Sequence, residues 1–293
     1  MWQAPRMGPI RYAKNGDVHL AYRVVGEGAS DVLWIPGWFG DIEEAWHVPG
    51  FAEFLEELAG LGRLIMFDKR GTGQSDRVPE HQYASSWEER VGDVIAVMDA
   101  VGSARAALIG PSEGGALSLL TAALEPDRVT AVVSIAGWAR MLATEQDPEL
   151  GISRQQLEAF VTKSVEHWGT GKSVSVQVPS RVDDPLFVER WANYERRAAS
   201  PNAVDAYGRM LAELDIRAVL DEVRAPTLLV HSTGDRMVSV DQSRYLARHL
   251  PDARLVEVPS ADHLPFISHP EIVVEEIQRH LLGRSRSRAA PRR

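Results

Sequence analysis

The sequence predicts an α/β fold built on a mostly parallel sheet that helices cover on both faces. Short apolar runs recur along the chain and alternate with segments whose apolar residues follow helical spacing. The runs are almost continuously apolar, as in parallel strands that are buried on both faces. The 293 residues include 44% hydrophobic and 25% charged residues, a composition typical of a globular protein with a sizeable core.

The chain is expected to begin with an antiparallel pair of strands. Residues 10–14 and 18–25 are strand-like, and Asn15 and Gly16 join them. An Asn-Gly pair favours the positive φ angles of a tight hairpin turn. We therefore place this hairpin at one edge of the sheet.

The following elements continue the alternation of strands and helices. Ser86 is expected to cap its helix, because Glu89 stands three residues further on as in a capping box. Further strands are expected over residues 32–35, 64–67, 106–109, 129–135, 227–230 and 254–258, and helices over residues 51–61, 86–98, 116–124, 240–249 and 270–282.

The alternation stops between residues 137 and 224. Helix-like patterns rich in Arg, Glu, Trp and Ala replace it, and Pro179, Pro185 and Pro201 divide them. We interpret this region as a helical cap inserted into the α/β core, and expect most of its aromatic residues to serve packing. The predicted organisation is core over 1–136, cap over 137–224, core over 225–282, and a disordered Arg/Ser tail over 283–293.

The stretch around Ser112 carries the first chemical signal. A short apolar run ends in Gly110, Ser112 and Gly114 follow at intervals of two, and a helical pattern begins soon after. A Gly-x-Ser-x-Gly pattern between a strand and a helix is typical of a nucleophile elbow, which exposes the serine hydroxyl above the sheet. Ser112 is therefore the candidate nucleophile.

A serine hydroxyl is a weak nucleophile near neutral pH and needs a base within hydrogen-bonding reach. Reactive groups of parallel sheets gather at the carboxyl ends of strands, and His263 follows the last strand by five residues. His269 precedes Pro270 at a helix start, and His231 ends a strand as a buried structural imidazole would. We select His263 as the base.

The acid that orients the base should follow another strand end, between the serine and the histidine in sequence. Asp235 fits, because the strand ending at His231 turns directly into it. Asp262 is adjacent to His263 and poorly placed to reach the far ring nitrogen. The resulting chain order of serine, acid and histidine is the one that follows a nucleophile elbow.

An acyl-transfer enzyme also needs donors for the oxyanion. The backbone N–H of Glu113 directly follows the nucleophile, and the glycine-punctuated turn after residue 35 supplies a second donor. We assign that donor to the N–H of Trp38, with Phe39 as second choice. The Glu113 side chain is interpreted as a charge that is favourable at a helix start.

Composition excludes several function classes. The net charge is −9 and the last eleven residues contain arginines without an acidic residue, so the body of the chain is more acidic still. An acidic surface argues against nucleic acid as a partner.

Without cysteine there is no disulfide and no thiolate site. No run is apolar over the length of a membrane span and the N-terminus lacks a signal-peptide core, so a cytoplasmic protein without cofactor or metal is expected.

The chain resembles the α/β-hydrolase superfamily over about residues 10–282. The resemblance rests on five motifs: Pro36-Gly37-Trp38, Phe67-Asp68-Lys69-Arg70-Gly71-Thr72-Gly73-Gln74-Ser75-Asp76, Gly110-Pro111-Ser112-Glu113-Gly114-Gly115, Thr233-Gly234-Asp235 and Asp262-His263. The Ser-Glu-Gly-Gly elbow and the Asp-Lys-Arg-Gly-Thr-Gly segment also resemble a bacterial subgroup often fused to adenylate or guanylate cyclase domains. Many relatives have His-Gly where this chain has Pro36-Gly37, so the packing of that loop is expected to differ.

The resemblance implies hydrolysis through a serine ester. A serine at the elbow, where epoxide hydrolases and haloalkane dehalogenases have aspartate, disfavours those two activities, and Asp68 and Arg70 are expected to brace their loop. We predict a carboxylesterase acting on small hydrophobic esters. Lactonase, aminopeptidase, carbon–carbon hydrolase and perhydrolase activities remain alternatives on the same triad, as does a ligand-binding sensor with little turnover. The sequence leaves open the natural substrate and whether the chain forms a homodimer.

Overall fold

The computed structural model describes residues 7–79, 86–145, 147–148 and 150–283. Eight strands in these ranges form one sheet in the order β1-β2-β4-β3-β5-β6-β7-β8. The contacts of β2 with β1 and with β4 are antiparallel, and all other neighbours are parallel. The strands are β1 Arg11–Asn15, β2 Val18–Val25, β3 Asp31–Trp34, β4 Arg63–Phe67, β5 Ala106–Pro111, β6 Val129–Ile135, β7 Thr227–Ser232 and β8 Ala253–Val258.

The predicted opening hairpin is confirmed. Asn15 pairs with Val18 across the turn, and Gly16 has a φ of 60°. A positive φ is accessible to glycine without the steric cost that a Cβ adds. β1 lies at the edge of the sheet, as predicted.

The described ranges contain ten α-helices. The capping box at Ser86 is confirmed, because Ser86 accepts from the N–H of Glu89 and the Glu89 side chain accepts from that of Ser86. The helices are α1 Phe51–Ala59, α2 Trp87–Ala100, α3 Glu113–Leu124, α4 Arg154–His167, α5 Val174–Gln177, α6 Pro185–Ala198, α7 Pro201–Met210, α8 Val240–His249, α9 Pro265–Ser268 and α10 Pro270–Leu282.

The helix after the elbow begins at Glu113, three residues before its predicted start at Ala116. Gly114 and Gly115 lower the intrinsic helix propensity, which is why the sequence favours a later start. Packing overrides this preference, since both glycines lie where a side chain would meet other backbone or side-chain atoms.

The core divides between the two faces of the sheet. Successive residues of a strand point to opposite faces, and Leu108 and Val132 belong to one cluster of buried side chains while Ile109 and Val133 belong to the other. Strands β5, β6 and β7 are buried at almost every position. The sheet is therefore covered on both faces, as the continuous apolar runs predict.

Helices α4 to α7 lie between β6 and β7 in sequence and contact the loops above the sheet. The Tyr194 hydroxyl on α6 donates to the carbonyl of Phe39 at 3.1 Å. Tyr207 on α7 is fully buried beside α3, where its hydroxyl donates to Glu113. The predicted domain limits at residues 137 and 224 remain a prediction, and of the tail predicted as disordered only Gly283 lies within the described residues.

Candidate active site

Ser112 lies at the junction of β5 and α3 with a strained backbone. Its φ of 56° and ψ of −127° are rare for a residue with a side chain and cost about 1–3 kcal/mol. The Ser112 N–H donates to the carbonyl of Ile135 at 2.7 Å, and the Ser112 carbonyl accepts from the N–H of Gly115 at 3.0 Å. These bonds hold the turn, and the side chain lines a cavity above the sheet.

Glycines on either side of Ser112 allow the strand and the helix to approach. A Cβ added to Gly110 would lie 2.3 Å from the carbonyl carbon of Gly114, and one added to Gly114 would lie 2.2 Å from the carbonyl oxygen of Ile35. Neither backbone atom can give way without moving a secondary-structure element. Close packing therefore requires glycine at both of these positions.

Asp235 and His263 lie together at the same edge of the sheet. Asp235 follows β7 and His263 follows β8, and their loops are joined because the N–H of Gly234 donates to the carbonyl of Ser260 at 2.8 Å. Nδ1 of His263 is 2.7 Å from Oδ2 of Asp235, and both side chains are buried. The other carboxylate oxygen of Asp235 accepts from the N–H groups of Met237 and Val238.

The pKa of Asp235 shows which form of the carboxyl this site favours. Burial by itself would raise that pKa, but the positive charge that His263 carries when it is protonated and the hydrogen bonds from His231 and His263 outweigh it. The net effect holds the pKa of Asp235 well below its ordinary range, so the group is an ionised acceptor at neutral pH.

A carboxylate can only accept, so Nδ1 of His263 carries the hydrogen and Nε2 of the neutral ring is free to act as a base. Nε2 is buried and has no hydrogen-bond partner within the described residues. The bond from Ser112 to Nε2 is therefore not formed in this structure. Catalytic hydrogen bonds are often long in the absence of substrate and tighten in the complex.

The turn predicted to supply an oxyanion donor lies against Ser112. A Cβ added to Gly37 would lie 3.4 Å from the Cβ of Ser112 and 3.2 Å from the carbonyl oxygen of Pro111. The N–H of Trp38 follows in this turn, and Glu113 provides the first N–H of α3 on the other side of Ser112. The structure therefore brings both predicted donor residues next to the candidate nucleophile.

The cavity in front of Ser112 has a volume of about 310 Å³ and mainly apolar walls. The loop after β3, the chain after β6 and the helices α4 and α6 all contribute to it. Its aromatic lining includes Trp38, Phe39, Trp138, Phe160, Trp168 and Trp191.

Two features of the site were not found from the sequence. The backbone N–H of His263 donates to the carbonyl of Gln177 at 2.9 Å, and Asp262 accepts from the N–H and the hydroxyl of Ser180. The histidine loop is thus tied directly to the end of α5, and no local pattern in the sequence signals this. The second feature is Lys69, which is buried against Glu113 beneath the elbow. Its position two residues after a strand end was the available signal.

A family model described as alpha/beta hydrolase fold matches residues 32–270. The chain belongs to the α/β-hydrolase family. This confirms the fold class and the resemblance predicted from the sequence, and it makes the protein a hydrolase. The narrower resemblance to cyclase-linked hydrolases remains a prediction.

Two similar proteins carry the names of an esterase and a serine hydrolase. The chain is 27% identical over 267 residues to a pimeloyl-[acyl-carrier protein] methyl ester esterase of Aliivibrio salmonicida, covering 89% of this chain and 95% of that protein. It is 28% identical over 275 residues to serine hydrolase BPHL of Mus musculus, covering 86% of this chain and 79% of that protein. Among solved structures, the enol-lactonase of Burkholderia xenovorans superposes with a TM-score of 0.76 at 22% identity, covering 94% of this chain and all of that one.

No helix within the described ranges is both long enough and apolar enough to cross a membrane.

Proposed function

We propose that this hydrolase cleaves small hydrophobic carboxylic esters through an acyl-enzyme on Ser112. The observation that carries the proposal is the 2.7 Å contact between His263 Nδ1 and Asp235 Oδ2, which leaves Nε2 as the free base of a buried imidazole. Ser112 supplies the matching nucleophile, since its strained turn opens onto the cavity.

The reaction follows from these positions. Nε2 of His263 takes the hydroxyl proton as Oγ of Ser112 attacks the ester carbonyl, and the resulting imidazolium is stabilised by the carboxylate of Asp235. The oxyanion accepts from the N–H groups of Trp38 and Glu113. His263 then returns the proton to the leaving alcohol, which yields the acyl-enzyme.

Water completes the cycle by the same route. His263 deprotonates the water, the hydroxide attacks the acyl carbonyl, and the proton returns to Oγ of Ser112 as the carboxylic acid leaves. No step consumes a redox equivalent. The assigned reaction is that of a carboxylesterase, and the names of the esterase relatives support it as a class.

The walls of the cavity favour an uncharged substrate. Most of the side chains that line it are apolar, with Glu195 and Arg236 as charged exceptions, and burying an ionised ester group against apolar side chains is unfavourable. The natural acyl and alcohol groups are set by this lining, because specificity in such a fold lies in the pocket and not in the triad.

A fluorophosphonate serine probe, read alongside turnover of p-nitrophenyl esters of graded chain length, tests the proposal. We expect labelling and turnover in wild type, neither in Ser112→Ala, and strongly slowed labelling in His263→Ala. Ser103→Ala is the matched control, because Ser103 is a buried serine outside the cavity. Persistence of labelling in Ser112→Ala, or its absence in folded wild type, would overturn the proposal, and the latter would favour a ligand-binding sensor.

A further inference from the structure

Lys69 lies buried beneath the turn that carries Trp38. The side chain is almost fully buried, and its ammonium donates to the carbonyl oxygen of Gly37 and, at 2.7 Å, to Oε2 of Glu113. One charged group therefore contacts both segments that flank Ser112. Neither the sequence pattern of the elbow nor the triad requires a lysine here.

The partners of Lys69 are themselves fixed. Oε1 of Glu113 accepts from the hydroxyl of Tyr207 at 2.9 Å, and that hydroxyl accepts from Nη1 of Arg90 at 2.9 Å. The ammonium also lies 4.6 Å from the centre of the Tyr207 ring, within the range of a cation–π contact. All four side chains are buried.

The bond to Gly37 has a geometric consequence for the neighbouring N–H. In a trans peptide the C=O of residue 37 and the N–H of residue 38 lie in one plane and point in opposite directions. A donor that fixes the Gly37 carbonyl therefore also fixes the direction of the Trp38 N–H. A positive charge on the carbonyl oxygen further polarises the peptide, which strengthens the N–H as a donor.

We propose that Lys69 is a positioning residue for the oxyanion hole: its ammonium orients and polarises the Gly37–Trp38 peptide while anchoring Glu113, whose own N–H is the second donor. This inference rests on the proposed ester hydrolysis. Lys69 does not touch the substrate, and its effect passes through the two backbone N–H groups.

A purely structural ion pair is the competing explanation. Replacing both partners of a buried pair by neutral groups often leaves stability unchanged or raises it. Such a pair, if only structural, would not affect transition-state binding when both charges are removed. The second hydrogen bond of Lys69, to the carbonyl of Gly37 in the oxyanion turn, is what separates the two explanations.

Titration of Lys69 offers an additional readout. Burial lowers the pKa of Lys69 to about 8. The negative charge of Glu113 on α3 opposes this shift, and the positive charge of Arg90 on α2 adds to it. Tyr207 on α7 faces the same ammonium, and burial raises the pKa of its hydroxyl well above the ordinary value. Lys69 should therefore lose its charge as the pH rises through about 8.

The test is a double variant, Lys69→Met with Glu113→Gln, which removes both charges and leaves neither unpaired. Loss of one oxyanion donor lowers kcat by about 10²–10³-fold, and a misdirected donor should cost less. We expect kcat to fall by about 10- to 100-fold with KM within about threefold, and a boronic acid that mimics the tetrahedral adduct to bind more weakly by a similar factor. In wild type, kcat should fall as Lys69 loses its charge above about pH 8, and this fall should be absent from the double variant.

The loop supplies a matched control one residue along. Arg70 pairs with Asp93 in a second buried ion pair that does not contact Gly37 or Glu113. The double variant Arg70→Met with Asp93→Asn should keep kcat close to wild type. A Lys69 and Glu113 double variant with wild-type kcat would overturn the proposal, as would an equal loss in the control.

Two further arms keep the test decisive. If the first double variant does not fold, Lys69→Arg is used instead. A guanidinium stays charged at alkaline pH, so the fall of kcat above about pH 8 should be absent from this variant. Persistence of that fall in Lys69→Arg would overturn the proposal. Absence of Ser112 labelling in wild type would overturn the proposed function itself. Normal labelling in wild type, together with wild-type kcat in the Lys69 variants, would overturn only the role of Lys69.

Discussion

Nε2 of His231 lies 3.4 Å from Oδ2 of Asp235, the same oxygen that receives Nδ1 of His263 at 2.7 Å. His231 is fully buried, and its Nε2 also faces the carbonyl of Val238 at 2.9 Å. Because a carbonyl only accepts, Nε2 carries the hydrogen, and Nδ1 accepts from the Ser243 hydroxyl at 2.7 Å. The Nε2–H of His231 thus lies close to the oxygen that accepts from His263, and both imidazoles favour the ionised form of Asp235.

His231→Phe should reduce stability more than activity. The change leaves the Ser243 hydroxyl and the Val238 carbonyl buried without a partner, at a cost of about 1–3 kcal/mol in the free energy of unfolding. Asp235 keeps its bonds from His263, Met237 and Val238, so kcat/KM should fall by less than about tenfold. Urea denaturation and ester turnover measure the two effects. Loss of activity as large as in Asp235→Asn, without loss of stability, would contradict this role.

Asp235→Asn should change the acid dependence of stability. The folded-state pKa of Asp235 lies below the reference value of 3.8, so its ionised form stabilises the fold above pH 3.8 and this contribution is lost as the pH falls further. The difference in free energy of unfolding between wild type and Asp235→Asn should therefore narrow below pH 3.8. Denaturant titrations across acidic pH measure it. Asp252→Asn, at an exposed position, should follow wild type, and a constant difference for Asp235→Asn would argue against the prediction.

Gly114→Ala should impair catalysis, and Gly102→Ala should not. A Cβ on Gly114 would lie 2.2 Å from the carbonyl oxygen of Ile35 and would force α3 away from β3. A displacement of about 1 Å at a reacting centre can cost about 100-fold in rate. Gly102 has a φ of 68° with open space around it, so alanine there costs only backbone strain of about 1–3 kcal/mol. Fluorophosphonate labelling rates separate the two variants, and equal rates would rule out close packing at Gly114 as a catalytic requirement.

Phe160→Ala should shift the substrate preference towards longer chains. Phe160 lines both the cavity in front of Ser112 and a second cavity of about 510 Å³ beside it, and its ring packs 5.1 Å from that of Trp38. Removing the ring opens the shared wall, so the kcat/KM ratio of long to short p-nitrophenyl esters should rise by about tenfold. Val182→Ala, which lines only the second cavity, is the control. An unchanged ratio in Phe160→Ala would mean that the two cavities do not share a substrate path.

Much of this site could be predicted because its signals are local. The elbow around Ser112 is a short pattern in which a Cβ on Gly110 would meet the backbone of Gly114 within the same turn. Asp235 and His263 could be selected because parallel strands place their carboxyl ends at one edge, so chain order alone brings them near each other. The catalytic roles of these residues remain predictions.

The sequence by itself determined the opening hairpin, the strand and helix alternation, the Ser86 cap and the candidate triad, since each depends on residues within one element or on the order of elements. Tertiary structure alone decided which distant side chains meet. Glu113 contacts Lys69 across 44 positions and Tyr207 across 94, and a helical or strand period does not specify such partners. Packing also began α3 at Glu113 despite two glycines, because close approach to β3 outweighs their weak helix propensity.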